Sequence, residues 1–300
     1  MTTDARCGAR HFGAACLGHK RRTDCLARLP ASKLSESVTG YYHCFKVQPP
    51  NLAVTAGSYL FNVRHPVDRV ISWYNYVSPN NCLVLGGAKK ESVSPNCAAA
   101  YQLERDADSF VGQFFQACFP TVDDWALAVA AKQPSNGSLA TPECVELAIT
   151  SLAGQLNERH VPIAAHMTAN YQHYAAKTVT AHPDKEVLVV RMEHLWDDLK
   201  ALDRQLGGTG NFGAQVEGFA YTHGSERYSS TGERVLDTSV QLFCCALQNE
   251  LRIYRELLHA AVNLHEHDKR ETTQAAALRC GWKSWEEMDR TCAEQSASLR

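Results

Sequence analysis

Residues 58–74 constrain the fold more than any other stretch, because they join a strand pattern to a helix pattern with almost nothing between them. Ser58 to Val63 is a short apolar run of strand-forming residues, typical of a buried strand. Pro66 then fits the first position of a helix, where its missing N–H costs no hydrogen bond. Apolar residues continue at helical spacing, at Val67, Val70, Ile71 and Tyr74. A strand that passes directly into a helix predicts an α/β fold.

A second convincing strand, Glu186 to Arg191, also leads into a helix, which we expect from Glu193 to Leu206 and which Gly207-Gly208 should stop. Strands that alternate with helices predict a parallel sheet flanked by helices. Other helical patterns fall at about 106–118, 122–132 (capped by Asp123), 142–157 (capped by Thr141) and Val235 to Leu264.

We expect three regions along the chain. Residues 1–50 are irregular and rich in cysteine, residues 51–265 form the α/β domain, and residues 266–300 form a short helical tail. A charged break, His265 to Glu271, should separate the tail from the last long helix. Trp282 and Trp285 in the tail could stack on a sugar, but aromatic residues in such tails more often dock onto the body of the protein.

The formal net charge of −2 excludes a generally basic surface, so we expect no nucleic-acid partner, and local clusters must bind any anionic ligand. No apolar run approaches the length of a membrane span, and the first residues do not resemble a secretory signal. A membrane anchor or targeting segment, if the protein uses one, would lie outside this sequence. The oligomeric state is not readable.

Twelve cysteines in 300 residues are many for a reduced cytosolic protein. Their even number and wide scatter favour several disulfides, with a connectivity that the sequence leaves open. A zinc site is the alternative, built from Cys7, His11, Cys16, His19 and Cys25, but these residues lack the paired short spacings of a zinc finger. We therefore expect no metal. An acceptor sequon at Asn136 agrees with a glycosylated lumenal loop.

Chemistry is concentrated where the first strand meets its helix. Arg64 should project from the carboxyl edge of the sheet, where open α/β folds bind ligands. The helix that follows offers free N–H groups and the positive end of its dipole to an anion. Ser72 lies further along the helix, and Arg69 lies on a neighbouring face. This pattern predicts a phosphate site without a glycine loop, although Arg64 could instead pair with a carboxylate.

The segment NVRHPVDRVISWYNYV, residues 62–77, resembles the 3′-phosphate-binding motif of sulfotransferases that use 3′-phosphoadenylyl sulfate. The Golgi carbohydrate branch, which includes heparan and uronyl sulfotransferases, is the most similar. VLVVRMEHLWDDL and CCALQNELRIYRELLHAAVNL resemble later segments of the same family. The resemblance implies a P-loop-NTPase-like fold, a Golgi location, and binding of the donor's 3′-phosphate by Arg64 and Ser72.

The family also has a first strand and a glycine-containing turn with a lysine, which bind the donor's 5′-phosphosulfate. We find no such segment, and the resemblance places that strand between the two strands identified above. We expect the sequence to be an N-terminally incomplete form. The alternatives are a catalytically degenerate, lumenal glycan-binding protein and, with less support, a kinase relative.

Further site residues follow from the resemblance by position. His43 lies about where uronyl-type enzymes place a catalytic histidine, so it is the candidate base, though it could be an ordinary loop or core histidine. Lys46 could contact an acidic sugar. Arg227 lies in a glycine-rich loop that related enzymes close over the nucleotide, and we assign it with Arg69 to donor binding. The expected acceptor is a hydroxyl of an acidic glycan.

Overall fold

The computed structural model describes residues 57–77, 112–130, 141–154, 167, 170–211 and 235–298. The described elements, in chain order, are β1 (Ser58–Val63), α1 (Pro66–Val77), a π-helical segment (Gly112–Cys118), α2 (Val122–Val129), α3 (Pro142–Leu152), α4 (Tyr171–Lys177), β2 (Glu186–Arg191), a 3₁₀ turn (Met192–His194), α5 (Leu195–Gln205), α6 (Asp237–Ala246), α7 (Gln248–Ala260), α8 (Glu266–Arg279) and α9 (Trp285–Ser298). They belong to two compact units.

The described part of the first unit comprises residues 57–64, 171–211 and 253–269. Its two strands pair in parallel over their whole length, with Ser58 opposite Glu186 and Val63 opposite Arg191. The predicted α/β class with a parallel sheet is therefore confirmed. β1 and β2 share one hydrogen-bonded ladder, so no strand lies between them.

The other edge of β2 is closed by the residues that follow α7. Ala261 forms a bridge with Val187, and the N–H of Val262 donates to the carbonyl of Val187 at 2.9 Å. The amide of Asn263 then replaces a strand: its Oδ1 accepts from the N–H of Val189 and its Nδ2 donates to the same residue's carbonyl, both at 2.8 Å. The backbone of this buried strand is thereby satisfied on the side away from β1.

The end of β2 is held by a buried ion pair with α5. Arg191 donates from Nε and Nη2 to the two carboxylate oxygens of Asp198, at 2.8 and 2.6 Å, and its backbone N–H donates to the same carboxylate. These hydrogen bonds raise the pKa of Arg191 above its usual range, against the opposing effect of burial. The helix ends at Gln205, just before Gly207 as expected, and few other residues adopt the positive φ of 85° that Gly207 has.

The described part of the second unit comprises residues 65–77, 112–130, 141–154, 167, 170, 235–252 and 270–298. Its core is a cluster of aromatic rings around Trp125, which is fully buried. Phe114 and Phe243 meet its indole edge to face, with ring centroids 5.1 and 5.2 Å away. Trp73 and Tyr74 bring α1 into the same cluster.

Two caps define the starts of α2 and α3. Thr141 caps α3, as predicted, by accepting from the N–H of Cys144. The predicted cap Asp123 is wrong for α2, because Thr121 and Asp124 form a reciprocal capping box there. Asp123 instead accepts a hydrogen bond from the N–H of Leu236, just before α6.

The C-terminal part is more helical than expected. The predicted single helix from Val235 to Leu264 is two helices with a turn at Leu247, and α7 ends at Ala260 because the next residues bind the edge of β2. The expected break from His265 to Glu271 is wrong, since most of it forms the first half of α8. Acidic Glu266 and Asp268 in the first turn of α8 favour the helix through its dipole.

Among the described residues, three disulfides lie in the second unit, which confirms the expectation of structural disulfides. Cys118 pairs with Cys144, while the adjacent residues Cys244 and Cys245 bind Cys280 and Cys292. Trp282 and Trp285 are buried, as expected for docked aromatic residues. Within the described ranges, no helix is long and apolar enough to span a bilayer.

Candidate functional site

Arg64 lies directly after β1, at the carboxyl end of the parallel sheet, as the sequence predicts. Its side chain is half-buried, and among the described residues it makes no hydrogen bond or ion pair. A half-buried guanidinium without a carboxylate keeps its hydrogen-bond donors available for a ligand. The alternative, that Arg64 pairs with a carboxylate, is not observed in the described part of the chain.

The backbone of Arg64 has one dominant contact, the hydroxyl of Tyr171. The N–H of Arg64 donates to this hydroxyl at 2.7 Å, and the hydroxyl donates to the carbonyl of Arg64 at 2.6 Å. Tyr171 is buried and its ring lies 6.1 Å from that of Tyr254. The side chain of Tyr171 thus satisfies the N–H and the carbonyl of Arg64, the first residue after the strand pairing ends.

The start of α1 is defined by His65 and Pro66, which are both buried. The carbonyl of His65 accepts the first helical hydrogen bond, from the N–H of Arg69 at 2.9 Å, so His65 is the N-cap and Pro66 is the first helical residue. Asp68 in the first turn would repel an anionic ligand. Arg279 offsets that charge, since it donates to Asp68 from Nε at 3.0 Å and from Nη2 at 2.8 Å.

Ser72 lies on α1 and is half-buried. Its hydroxyl makes no hydrogen bond to any described residue, although a helical serine can bond to the carbonyl four residues earlier. Ser72 therefore retains both donor and acceptor capacity. Ser72 belongs to the second unit, whereas Arg64 belongs to the first.

Arg69 has an internal partner. Its Nη2 lies 3.5 Å from a carboxylate oxygen of Glu250 on α7, and only 17% of the Arg69 side chain and 4% of the Glu250 side chain are exposed. A buried carboxylate needs a compensating charge. The arrangement gives Arg69 the task of neutralising Glu250, and its assignment to donor binding stays a prediction from the sequence.

The other predicted site residues lie outside the described residues. These are His43, the candidate base, Lys46, and Arg227, the candidate nucleotide contact. The cysteines and histidines of the alternative zinc site and the sequon at Asn136 lie outside them as well.

Two contributors to the site were missed by the sequence analysis. Tyr171 is far from Arg64 in sequence, and nothing in its surroundings NYQHY indicates that its hydroxyl reaches a strand end. Arg279 lies in the last turn of α8, where the helix dipole favours a basic residue on its own. Both contacts depend on tertiary packing, so no local pattern could have shown them.

No family model, curated protein or solved structure matches the chain. The functional assignment therefore rests on the residues themselves and on the resemblance of residues 62–77 to the sulfotransferase motif.

Proposed function

We propose that this protein is a sulfotransferase with a P-loop-NTPase-like fold, which uses 3′-phosphoadenylyl sulfate and transfers sulfate to a hydroxyl of a glycan in the Golgi lumen. The single observation that carries the proposal is the position of Arg64 together with the surroundings of its guanidinium. It follows a parallel strand, precedes a helix N-terminus, and has a half-buried guanidinium with no partner in the described part of the chain. This is the arrangement that the 3′-phosphate motif requires.

The contrast between the two arginines of RHPVDR supports the choice of Arg64. Arg69 lies against the carboxylate of Glu250, so most of its charge is compensated inside the protein. Arg64 lacks such compensation among the described residues, and a doubly charged phosphate could supply it through two parallel hydrogen bonds. Ser72 adds a hydroxyl that is also available.

The chemistry of the proposed reaction is a displacement at sulfur. The oxygen of the acceptor hydroxyl forms a bond to sulfur, the bond between sulfur and the phosphate oxygen of the donor breaks, and a base accepts the hydroxyl proton. The products are a sulfate ester and adenosine 3′,5′-bisphosphate. In this proposal His43 is the base, and Arg64 with Ser72 holds the nucleotide by its 3′-phosphate, which fixes the position of the donor.

The disulfides support the lumenal part of the proposal. In the described part of the second unit, three pairs are at bonding distance, and such bonds persist in oxidising compartments and are rare in the cytosol. An acidic glycan acceptor and a membrane anchor outside this sequence remain proposals that rest on the family resemblance.

A second candidate function is a non-catalytic protein that keeps the nucleotide or glycan site but has lost transfer activity. The direct pairing of β1 with β2 favours this alternative, because the family resemblance implies a strand between them that carries the 5′-phosphosulfate turn. Incubation with radiolabelled 3′-phosphoadenylyl sulfate and a panel of acidic glycans separates the two functions. Labelled glycan supports the enzyme, whereas nucleotide binding without transfer supports the alternative.

The proposal predicts that adenosine 3′,5′-bisphosphate raises the thermal unfolding temperature of the protein. A ligand at about one hundred times its Kd stabilises the folded state by about 2.7 kcal/mol. For a chain of 300 residues, that corresponds to a rise in Tm of roughly 4 °C. The measurement is a thermal unfolding curve with and without the nucleotide.

Substitution of Arg64 provides the decisive variant of this experiment. Arg64→Ala should at least halve the nucleotide-dependent rise in Tm, because loss of the guanidinium that holds the 3′-phosphate weakens binding tenfold or more. Arg290→Ala is the matched control, since it removes the same charge from an exposed position on α9. A rise of the same size in Arg64→Ala and in the wild type would overturn the assignment of the site.

A further inference from the structure

The hydroxyl of Tyr171 makes an unusual pair of hydrogen bonds, because it binds both the N–H and the carbonyl of one residue, Arg64. The two contacts are 2.7 and 2.6 Å long, as short as good hydrogen bonds to a hydroxyl become. Neither main-chain group of Arg64 takes part in the β1–β2 pairing, which ends at Val63. Without Tyr171 both groups would need another partner.

The ring that carries this hydroxyl is fixed by its own packing. Tyr171 is only 6% exposed, and it begins α4. Its ring lies 6.1 Å from the ring of Tyr254, which is fully buried on α7. A buried ring has few alternative positions, so it can set the position of a main-chain segment to which it bonds.

From this geometry we infer that Tyr171 is the positioning residue of the anion site: it fixes the backbone of Arg64, so that the guanidinium projects from the end of β1 in the orientation that binds phosphate. This inference rests on the proposed function. Tyr171 itself does not touch the ligand. Its hydroxyl acts through Arg64. A guanidinium on a mobile main chain must be ordered each time a ligand binds, and the entropy lost in that ordering weakens binding.

The test uses Tyr171→Phe, which keeps the buried ring and removes only the hydroxyl. Loss of one preorganising contact of this kind should weaken the binding of adenosine 3′,5′-bisphosphate about tenfold. Tyr74→Phe is the matched control, because the hydroxyl of Tyr74 also donates to a distant backbone carbonyl, that of Phe119, at 2.7 Å. Tyr74→Phe should bind the nucleotide as the wild type does.

A double-mutant cycle separates positioning from a general structural effect. If Tyr171 acts through Arg64, then Tyr171→Phe should cause no further loss of nucleotide affinity in a protein that already carries Arg64→Ala. Additive losses in the double variant would contradict the inference, since the two residues would then contribute independently.

Hydrogen exchange tests the same contact without any ligand. The amide of Arg64 should exchange slowly in the wild type and at least tenfold faster in Tyr171→Phe, because the variant lacks the acceptor for that N–H. If Tyr171→Phe does not fold, the wild-type rate still decides: fast exchange of the Arg64 amide overturns the inference.

The outcomes distinguish the inference from the function on which it rests. Nucleotide binding that is equal in the wild type and in Tyr171→Phe overturns the positioning role and leaves the proposed function standing. A wild-type protein that does not bind the nucleotide overturns both. Weaker binding in Tyr171→Phe together with wild-type binding in Tyr74→Phe supports both.

Discussion

The guanidinium of Arg191 lies at the end of β2 with 6% of its side chain exposed, and its partner Asp198 is 4% exposed. Asp198 accepts from two nitrogens of this side chain and from the backbone N–H of the same residue. Removal of one partner leaves an uncompensated buried charge. Asp198→Ala should therefore lower the free energy of unfolding by about 3 to 5 kcal/mol, measured by urea denaturation.

Asp197 is the control for that experiment, because it lies in the same first turn of α5 but is exposed. Asp197→Ala loses only its interaction with the helix dipole, about 0.3 to 1 kcal/mol. Equal losses in the two variants would contradict a stabilising role for the buried pair.

The pH dependence of this ion pair follows from the raised pKa of Arg191. A cation whose pKa is higher in the folded state stabilises the fold fully at pH values below its unfolded pKa. That contribution is lost only as the pH rises through the folded pKa. Because arginine ordinarily loses its proton only far above neutral pH and the pKa of Arg191 is raised further, the contribution of Arg191 should stay constant throughout the neutral range.

Single residues also show what the sequence can predict about the site. The position of Arg64 at a strand end was predictable, because a run of β-prone residues and a proline bracket it. The different surroundings of Arg64 and Arg69 were not, since Glu250, which pairs with Arg69, lies far away in sequence. Partners that only the tertiary fold supplies leave no periodic signal.

At the scale of elements, α6 is joined to both C-terminal helical segments through adjacent cysteines. Cys244 bonds to Cys280 just after α8, and Cys245 bonds to Cys292 in α9. Each bond closes a long stretch of chain, with separations of 36 and 47 residues. Such bonds stabilise chiefly by restricting the unfolded chain.

Replacement of Cys245 and Cys292 together by serine tests this stabilisation. The chain-entropy relation gives a loss of roughly 4 kcal/mol for a loop of this length, seen as a lower denaturation midpoint. The wild type after reduction should show at least this loss. Unchanged midpoints in the serine variant and in the reduced wild type would show that the bond contributes nothing.

The elements differ in how well the sequence predicts them. β1, α1, β2 and most of α5 were predictable, because their apolar spacing and end signals agree with each other. The turn at Leu247 was not, since the apolar spacing continues through it. The first half of α8 was mistaken for a loop, because its charged residues conceal a helix that Lys269 stabilises by donating to Glu266 and to the carbonyl of His259.

At the scale of the whole molecule, the α/β class and the use of disulfides follow from the sequence, while the arrangement of the strands does not. Two strand patterns predict a parallel sheet but leave their order open, because the pairing of strands depends on the crossovers between them. The direct pairing of β1 with β2 is thus a structural finding.

The most direct test of the central claim compares two nucleotides that differ only in the 3′-phosphate. Isothermal titration calorimetry should show binding of adenosine 3′,5′-bisphosphate to the wild type and at least tenfold weaker binding of adenosine 5′-monophosphate, because Arg64 and Ser72 would have no phosphate to hold. Arg64→Ala should bind the two equally weakly. Equal affinity of the wild type for both nucleotides, or no binding of either, would contradict the account.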